Sequence, residues 1–510
     1  MAHDACTPDP LDQGYPEAEL VIGLVCAVGV DYAKVSEYLS KILPSFGYRA
    51  NVLRVSSFIR ESAARLGINV ELHDKPEELR LSDYMDAGNM IRKETKRCDF
   101  FATVAAAALA SSRSSDGQGA PTPLLRRVHV ILTLKRPEEV EVLRRIYGPG
   151  FFLVGLFAEE HERLDYLMNE RNVSKDKALK LIARDLEDED REFGQRTRDT
   201  FHLADVFVEL QKNRYKQELK RFLQLVFGHP HTTPTPEEFA MYQASAASLR
   251  SGQLGRQVGA AIVNERGDLI AVGCNEVPAP GGGGYWPSAK NDHRDHTLGE
   301  DSNDKRKEEI ILDVLARLKA AELLSDEKAE QLLDPTSVLR KSLLGDITEF
   351  GRAVHAEMDA LLTCARGGAS TLGGTLYTTT FPCHNCTRHV IAAGITKVVY
   401  IEPYPKSQAG PLHKDAIRIE DSVAGKQKPG ARDSRIPFKP FIGIGPRRYF
   451  DLFSMSLGAG YPLERKTKAG ETVPWSASKD AKPRIAMAPT SYLQREILAS
   501  KTIYSIFNPK

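Results

Sequence analysis

Two short stretches hold the residues best suited to chemistry: His355-Ala356-Glu357, and Pro382-Cys383-His384-Asn385-Cys386. Two thiolates and one imidazole fill three of the four tetrahedral positions around zinc and leave the fourth for water, the open arrangement of a catalytic site. The run FGRAVHAEMDALLTCA is amphipathic, which places His355 and Glu357 inside one helix, and Pro382 suits a chain entering a second helix. The positive end of that second helix favours Cys383 and Cys386 as thiolates. Two residues along a helix correspond to about 200° of rotation, so Glu357 is expected on the substrate side of the metal rather than among its ligands. A metal of this kind brings the pKa of water to around 7, and Glu357 is placed to take that proton and return it to a leaving group. Two plainer readings stay open. A bare C-x-x-C is also a redox motif, and a closed structural zinc needs a fourth protein ligand, for which His384 and His389 are near in sequence.

The elements that must position these residues follow from hydrophobic periodicity. Strand Gly-Thr-Leu-Tyr-Thr-Thr-Thr precedes the cysteine helix and strand Lys-Val-Val-Tyr-Ile-Glu follows it, while QVGAAIVN, the turn ERGD and LIAVGCN form a hairpin upstream. A charged insertion spanning 281–344 separates hairpin and histidine; its NDHRDH offers His293 and His296 to a second metal, with a solvated loop the simpler reading. Nearer the N-terminus, ELVIGLVCAV, VHVILTLK, FFLVGLFA and ADVFVEL are short apolar runs alternating with helical segments, the pattern of a parallel α/β sheet. Ser111 to Pro123 is a loop by composition, and HPHTTPTPEE, with three prolines, is the clearest boundary. The expected organisation is a tail (1–18), an α/β domain (19–228), a linker (229–238), a metal-binding domain (239–410) and a C-terminal extension (411–510), in part disordered around KTKAGETVPWSASKDAKPR.

Composition narrows the partners. In 510 residues, 69 Lys+Arg stand against 68 Asp+Glu, a net charge of +1, which provides no field for gathering nucleic acid or an acidic membrane non-specifically. With 42% hydrophobic and 27% charged residues the chain is ordinarily globular, long enough for two to four domains. No apolar run is long enough to span a bilayer, and the acidic, proline-bearing first residues do not read as a secretory signal, so a cytoplasmic location is expected. Seven cysteines, an odd and sparse number, do not read as a disulfide framework; Cys274 and Cys364 are expected to be small core residues.

The H-x-E and P-C-x-x-C pair is the signature of zinc deaminases, and Ser248 to Pro405 resembles the deoxycytidylate deaminase branch of the cytidine-deaminase-like fold. The likeness lies in SLRSGQLGRQVGAAIVNERGDLIAVGCNEVP, RAVHAEMDALL and LYTTTFPCHNCTRHVIAAGITKVVYIEPYPKS, although GCNE stands where relatives often have a GYNG-like run. The resemblance implies a three-layer α/β/α domain with one catalytic zinc per subunit on His355, Cys383 and Cys386, and Glu357 as proton carrier. It also implies that Asn275 holds the nucleoside, that Tyr404 borders base or sugar, and that Arg256 and Lys406 serve the phosphate end. The N-terminal half resembles a degenerate P-loop kinase, with Arg163 and Arg171 on a lid-like helix. Gly23 and Gly29 mark a possible phosphate loop, but five residues separate them and Val30-Asp31 follow where a Walker A motif has lysine and Ser/Thr. The pairing of halves resembles bacterial anti-phage deaminases. It implies conversion of dCTP to dUTP and dCMP to dUMP, depletion of the dCTP pool, assembly into homo-oligomers, and restraint by a small RNA. A nucleic-acid deaminase acting on tRNA adenosine or single-stranded cytosine, and a binding protein with a vestigial zinc site, are the competing readings.

Overall fold

The computed structural model describes residues 17–113, 121–188, 191–210, 214–334, 337–340, 342–347, 349–420, 433–458, 460–485, 487 and 489–509. The chain divides into two compact units. One takes the residues up to Glu238 and those from Phe441 onward; the other takes Phe239 to Glu420 and the segment ending at Pro440.

In the first unit, β1 (Leu20–Cys26), β2 (Arg49–Arg54), β3 (Arg127–Leu134), β4 (Phe151–Phe157) and β5 (Val206–Glu209) are parallel, in the order β2-β3-β1-β4-β5. Every residue of β1 and β4 is buried, as a sheet covered on both faces demands. The chain crosses from one side of β1 to the other between β3 and β4, so the crevice beyond the carboxyl ends of β1 and β3 is the natural ligand position of such a sheet. Gly23 lies within β1, paired with Ile131 and Leu153, not in the loop beyond it. A Cβ there would come within 2.7 Å of Leu134, so this glycine serves packing and not a phosphate loop.

Three boundaries differ from the sequence expectation. The helix Phe100–Arg113 runs into the Ser111 to Pro123 stretch, of which 114–120 lie outside the described residues. The proline-rich boundary is short, because Pro236 opens a helix to Ser248, where a first-turn proline forfeits no hydrogen bond. The C-terminal hundred residues are not one extension. Strands from its first part join the second unit's sheet, whereas Gly443–Ile444 pairs antiparallel with β5 and the helix Pro489–Phe507 belongs to the first unit. Even the KTKAGETVPWSASKDAKPR segment is tied down: Trp475 packs near Phe46 and His229, and the neighbouring Arg465 Nε donates to Pro230 O at 2.7 Å.

A charged cluster sits within the first unit. Arg113 holds Glu19 (Nη1–Oε1 2.6 Å, Nη2–Oε2 2.9 Å) and Glu496 (Nε–Oε2 2.7 Å), all three fully buried. His129, Tyr147 and Tyr492 complete the hydrogen bonds of the two carboxylates.

The second unit's sheet contains β6 (Gly259–Val263), β7 (Leu269–Cys274), β8 (Thr375–Thr380), β9 (Lys397–Glu402), β10 (Ile417–Ile419) and β11 (Ile436–Pro440), in the order β10-β11-β9-β8-β6-β7. β6 and β7 form the expected hairpin, with Gly267 at a positive φ of 86° in its turn. Two glycines reveal the layers. Ala260 pairs with Gly273 and Gly259 with Cys274, so Gly273 and Gly259 present opposite faces. A Cβ on Gly273 would lie 2.4 Å from Ala356 O and Ala360 N; one on Gly259 would lie 1.9 Å from Ala244 O. Helices Ala356–Gly367 and Pro236–Ser248 thus rest on the two faces, making three α/β/α layers. Both sheets together give the α/β class expected. Among the described residues, no helix is long and apolar enough to cross a membrane.

Candidate metal centre and active-site cavity

His355 is not inside a helix. It has extended backbone angles (φ −70°, ψ 155°) and caps the helix Ala356–Gly367, which puts Glu357 in the first turn. The reading of 200° around a shared helix therefore fails, although its consequence survives: a cap and a first-turn residue point to different places. Cys383 likewise caps the helix His384–Ala392, and its sulfur accepts from the Cys386 amide at 3.4 Å. Each helix thus contributes its amino end to one point. The register of the first is fixed by the close approach of Gly273 and by the Cys274 amide donating to Asp359 Oδ2 at 3.2 Å.

At that point the His355 Nδ1 lies 3.3 Å from Cys383 Sγ and 3.4 Å from Cys386 Sγ. Among the described residues, this is the one group of three or more such side chains whose ligand atoms all lie within 4.8 Å. A hydrogen bond from the Cys386 thiol draws Cys383 down to about 4 against its burial, and His355 adds to the effect. The bond to Cys383 pushes His355 up to about 9, while Cys386, keeping the shared proton in a buried place, moves well up. Two buried thiols that cannot both ionise beside one imidazole suit a divalent cation, whose binding would release their protons. His384 bonds instead to Glu349 Oε1 at 3.1 Å, and neither it nor His389 enters the cluster. His293 and His296 do not join such a group either.

A cavity of about 220 Å³ opens on this centre, bordered by His355, Glu357 and Cys383. Glu357 is buried, and burial raises its carboxyl above the ordinary range. Of the nucleotide-contact candidates, Asn275, Arg256 and Tyr404 line the same cavity; Lys406 does not. Asn275 is already partly engaged, with Oδ1 accepting from the Val258 amide (2.7 Å) and Nδ2 donating to Arg256 O (2.8 Å). A carboxamide retains one N–H and one lone pair beyond these. Arg256 spans the rim, 3.0 Å from Glu402 Oε1 with its guanidinium 5.7 Å from the Tyr404 ring centre. Sequence reasoning missed Thr380 and Phe381, which also line the cavity. Their place in the TTTFPC run, directly before a capping cysteine, was the available signal. Cys274 and Cys364 are buried core residues, as expected.

Because Gly273 lets the Glu357 helix lie on β7, Gly273→Ala is expected to displace that helix. A penalty of about 1–3 kcal/mol is typical of such overpacking. The expected outcome is a lower unfolding midpoint and a loss of turnover at retained metal content, checked by thermal unfolding, metal analysis and steady-state kinetics.

Residues 234–402 match the family described as "Cytidine and deoxycytidylate deaminase zinc-binding region". The chain is 44% identical to a deoxycytidylate deaminase of Enterobacteria phage T2 over 57 residues, 11% of this chain and 30% of that protein. It therefore spans less than a third of the length of that relative. It is also 26% identical to a probable deoxycytidylate deaminase of Drosophila melanogaster over 217 residues, 42% of this chain and 78% of the relative. Among solved structures, the dCMP deaminase of cyanophage S-TIM5 in complex with dCMP and dUMP aligns over 41% of this chain and all of its own, at 18% identity and a TM-score of 0.23.

Proposed function

We propose that the second unit is a metal-dependent hydrolytic deaminase of deoxycytidine nucleotides, converting dCMP and water to dUMP and ammonia, and dCTP likewise to dUTP. One observation carries this reading: His355, Cys383 and the carboxyl of Glu357 border one cavity, inside the segment that matches the deaminase zinc-binding family. The residues fit zinc through one imidazole nitrogen and two sulfurs, and bound there it would supply the Lewis acidity that makes water nucleophilic near neutral pH. Cys386 completes the ligand set from the buried side. Glu357 holds and transfers the proton: its buried carboxyl, ordinarily reluctant to ionise, is suited to take one from the attacking water and deliver it to the departing amine. The spare N–H and lone pair of Asn275 offer the sugar or base edge a pair of hydrogen bonds, Phe381 and Tyr404 supply apolar surface, and Arg256 stands where an anionic tail would leave.

The finer reading is that both phosphorylation levels are accepted and that activity depletes dCTP during phage infection, with a small RNA as restraint and a homo-oligomer as the working form. It rests on the resemblance of the paired halves. A side-by-side assay tests the substrate class. Ammonia release is expected from dCMP and dCTP and not from single-stranded oligonucleotides or tRNA; the reverse preference would replace this reading with that of a nucleic-acid deaminase.

A further inference from the structure

Among the described residues, Arg256 is the one arginine or lysine that lines the cavity beside Glu357. Its backbone and its side chain are held from different strands. The Arg256 carbonyl accepts from Nδ2 of Asn275, the residue directly after β7. The guanidinium is held by Glu402, the last residue of β9, whose Oε1 accepts from Arg256 Nη1 at 3.0 Å. About half of the arginine side chain (53%) and a third of the glutamate's (33%) are open to solvent.

Glu402 is tied to the cavity wall at two further points. Its Oε2 accepts from Thr380 Oγ1 at 3.3 Å, and its backbone carbonyl accepts from the Phe381 amide at 2.7 Å. Thr380, Phe381 and Arg256 line the cavity, whereas Glu402 is not part of that wall. The carboxylate therefore stands behind the rim, with one oxygen on the wall and the other on the rim's cation.

This placement acts on Arg256 in two ways. A guanidinium has five N–H donors, and Glu402 engages one of its three nitrogens, so the group is held in place while most of its donors stay free for a phosphate. The carboxylate also offsets the arginine's charge. An anion bound to Arg256 meets the attraction of the guanidinium and, a few ångströms further on, the repulsion of Glu402. Coulomb energy scales with the product of the charges, so that repulsion is absent for a nucleoside, moderate for a monophosphate with about two charges and larger for a triphosphate with about four.

We propose that Glu402 is a positioning residue that holds Arg256 at the rim and, by offsetting its charge, biases the site against the longer phosphate chain. The assignment rests on the deaminase reading of the second unit and deepens it, because it places the discrimination between phosphorylation levels on one carboxylate.

Steady-state kinetics of the full-length protein and its Glu402→Gln variant, with deoxycytidine, dCMP and dCTP as substrates, test this. Glutamine keeps an oxygen for Arg256 and removes the charge. In the variant, kcat/KM is expected to rise about threefold for dCMP and about tenfold for dCTP through lower KM values, with deoxycytidine responding least. Salt screens exposed charges, so the gain should shrink as ionic strength rises. Glu402→Ala loses the tether along with the charge, and should gain less than Glu402→Gln for both nucleotides. A change of equal size for all three substrates, or one carried by kcat alone, would make Glu402 a brace of the fold and overturn the charge bias. Equal gains in the two variants would overturn the positioning role. A wild-type protein that releases ammonia from none of the three would instead overturn the deaminase reading, and this assignment with it.

Discussion

Glu357→Gln is expected to abolish ammonia release from dCMP while the protein keeps its metal. The substitution preserves volume at a buried first-turn position, so neither a cavity nor a lost cap obscures the result. It removes the ability to accept and return a proton, worth about 10²–10⁴-fold in rate for a positioned acid–base group. The proposed ligand atoms, by contrast, belong to His355, Cys383 and Cys386, whose mutual distances do not involve the carboxylate. Metal content measured beside turnover separates the two roles. One metal per chain with activity near background is the expected result; full activity would show that the proton travels by another route, and loss of metal would place Glu357 among the ligands.

The second large effect concerns stability. Arg113→Met should destabilise the first unit by about 3–5 kcal/mol, the range found when one partner of a buried ion pair is removed. It strands the carboxylates of Glu19 and Glu496, each almost wholly shielded from water. The triple variant that also carries Glu19→Gln and Glu496→Gln should recover much of the loss, because neutral amides need no counter-charge. Urea unfolding of the two proteins measures the difference, and equal midpoints for wild type and Arg113→Met would mean that the network contributes nothing. Acid should act in the same direction through Glu19. Burial raises its carboxyl, but the hydrogen bonds of His129 and Arg113 outweigh this and hold it at about 2, below the ordinary 4.5. Its share of stability is therefore complete above about pH 4.5 and lost as the pH falls toward 2. Glu496 is shifted upward by burial and titrates in the opposite sense, so the acid loss should vanish in Glu19→Gln rather than in Glu496→Gln.

Much of the site was readable from residue types alone. The spacing of Cys383 and Cys386 within one helical turn, and the histidine with a glutamate two residues on, define a donor set whatever the surrounding fold. The strands were legible for a related reason: a run such as LVIGLVC is apolar without interruption because both faces of its sheet are covered. His355 was misplaced into a helix because an amphipathic run has no marker for where helical backbone begins, and a histidine cap carries none of the usual capping signals. The phosphate loop failed similarly, since glycine spacing does not distinguish a strand glycine packed against Leu134 and Phe151 from one in a turn.

Sequence by itself therefore determined the chemistry available: which side chains can hold zinc, which can move a proton, and which runs must be buried strands. Tertiary structure decided which of the candidates meet. It brought Asn275, Arg256 and Tyr404 to the Glu357 cavity and not Lys406, and returned the described residues from Phe441 onward to the first unit through Gly443–Ile444 and Glu496. The physical reason is range. Ligand spacing and hydrophobic period are local properties written in consecutive residues, whereas a shared cavity joins positions more than a hundred residues apart, and only the packing of sheets and helices sets those distances.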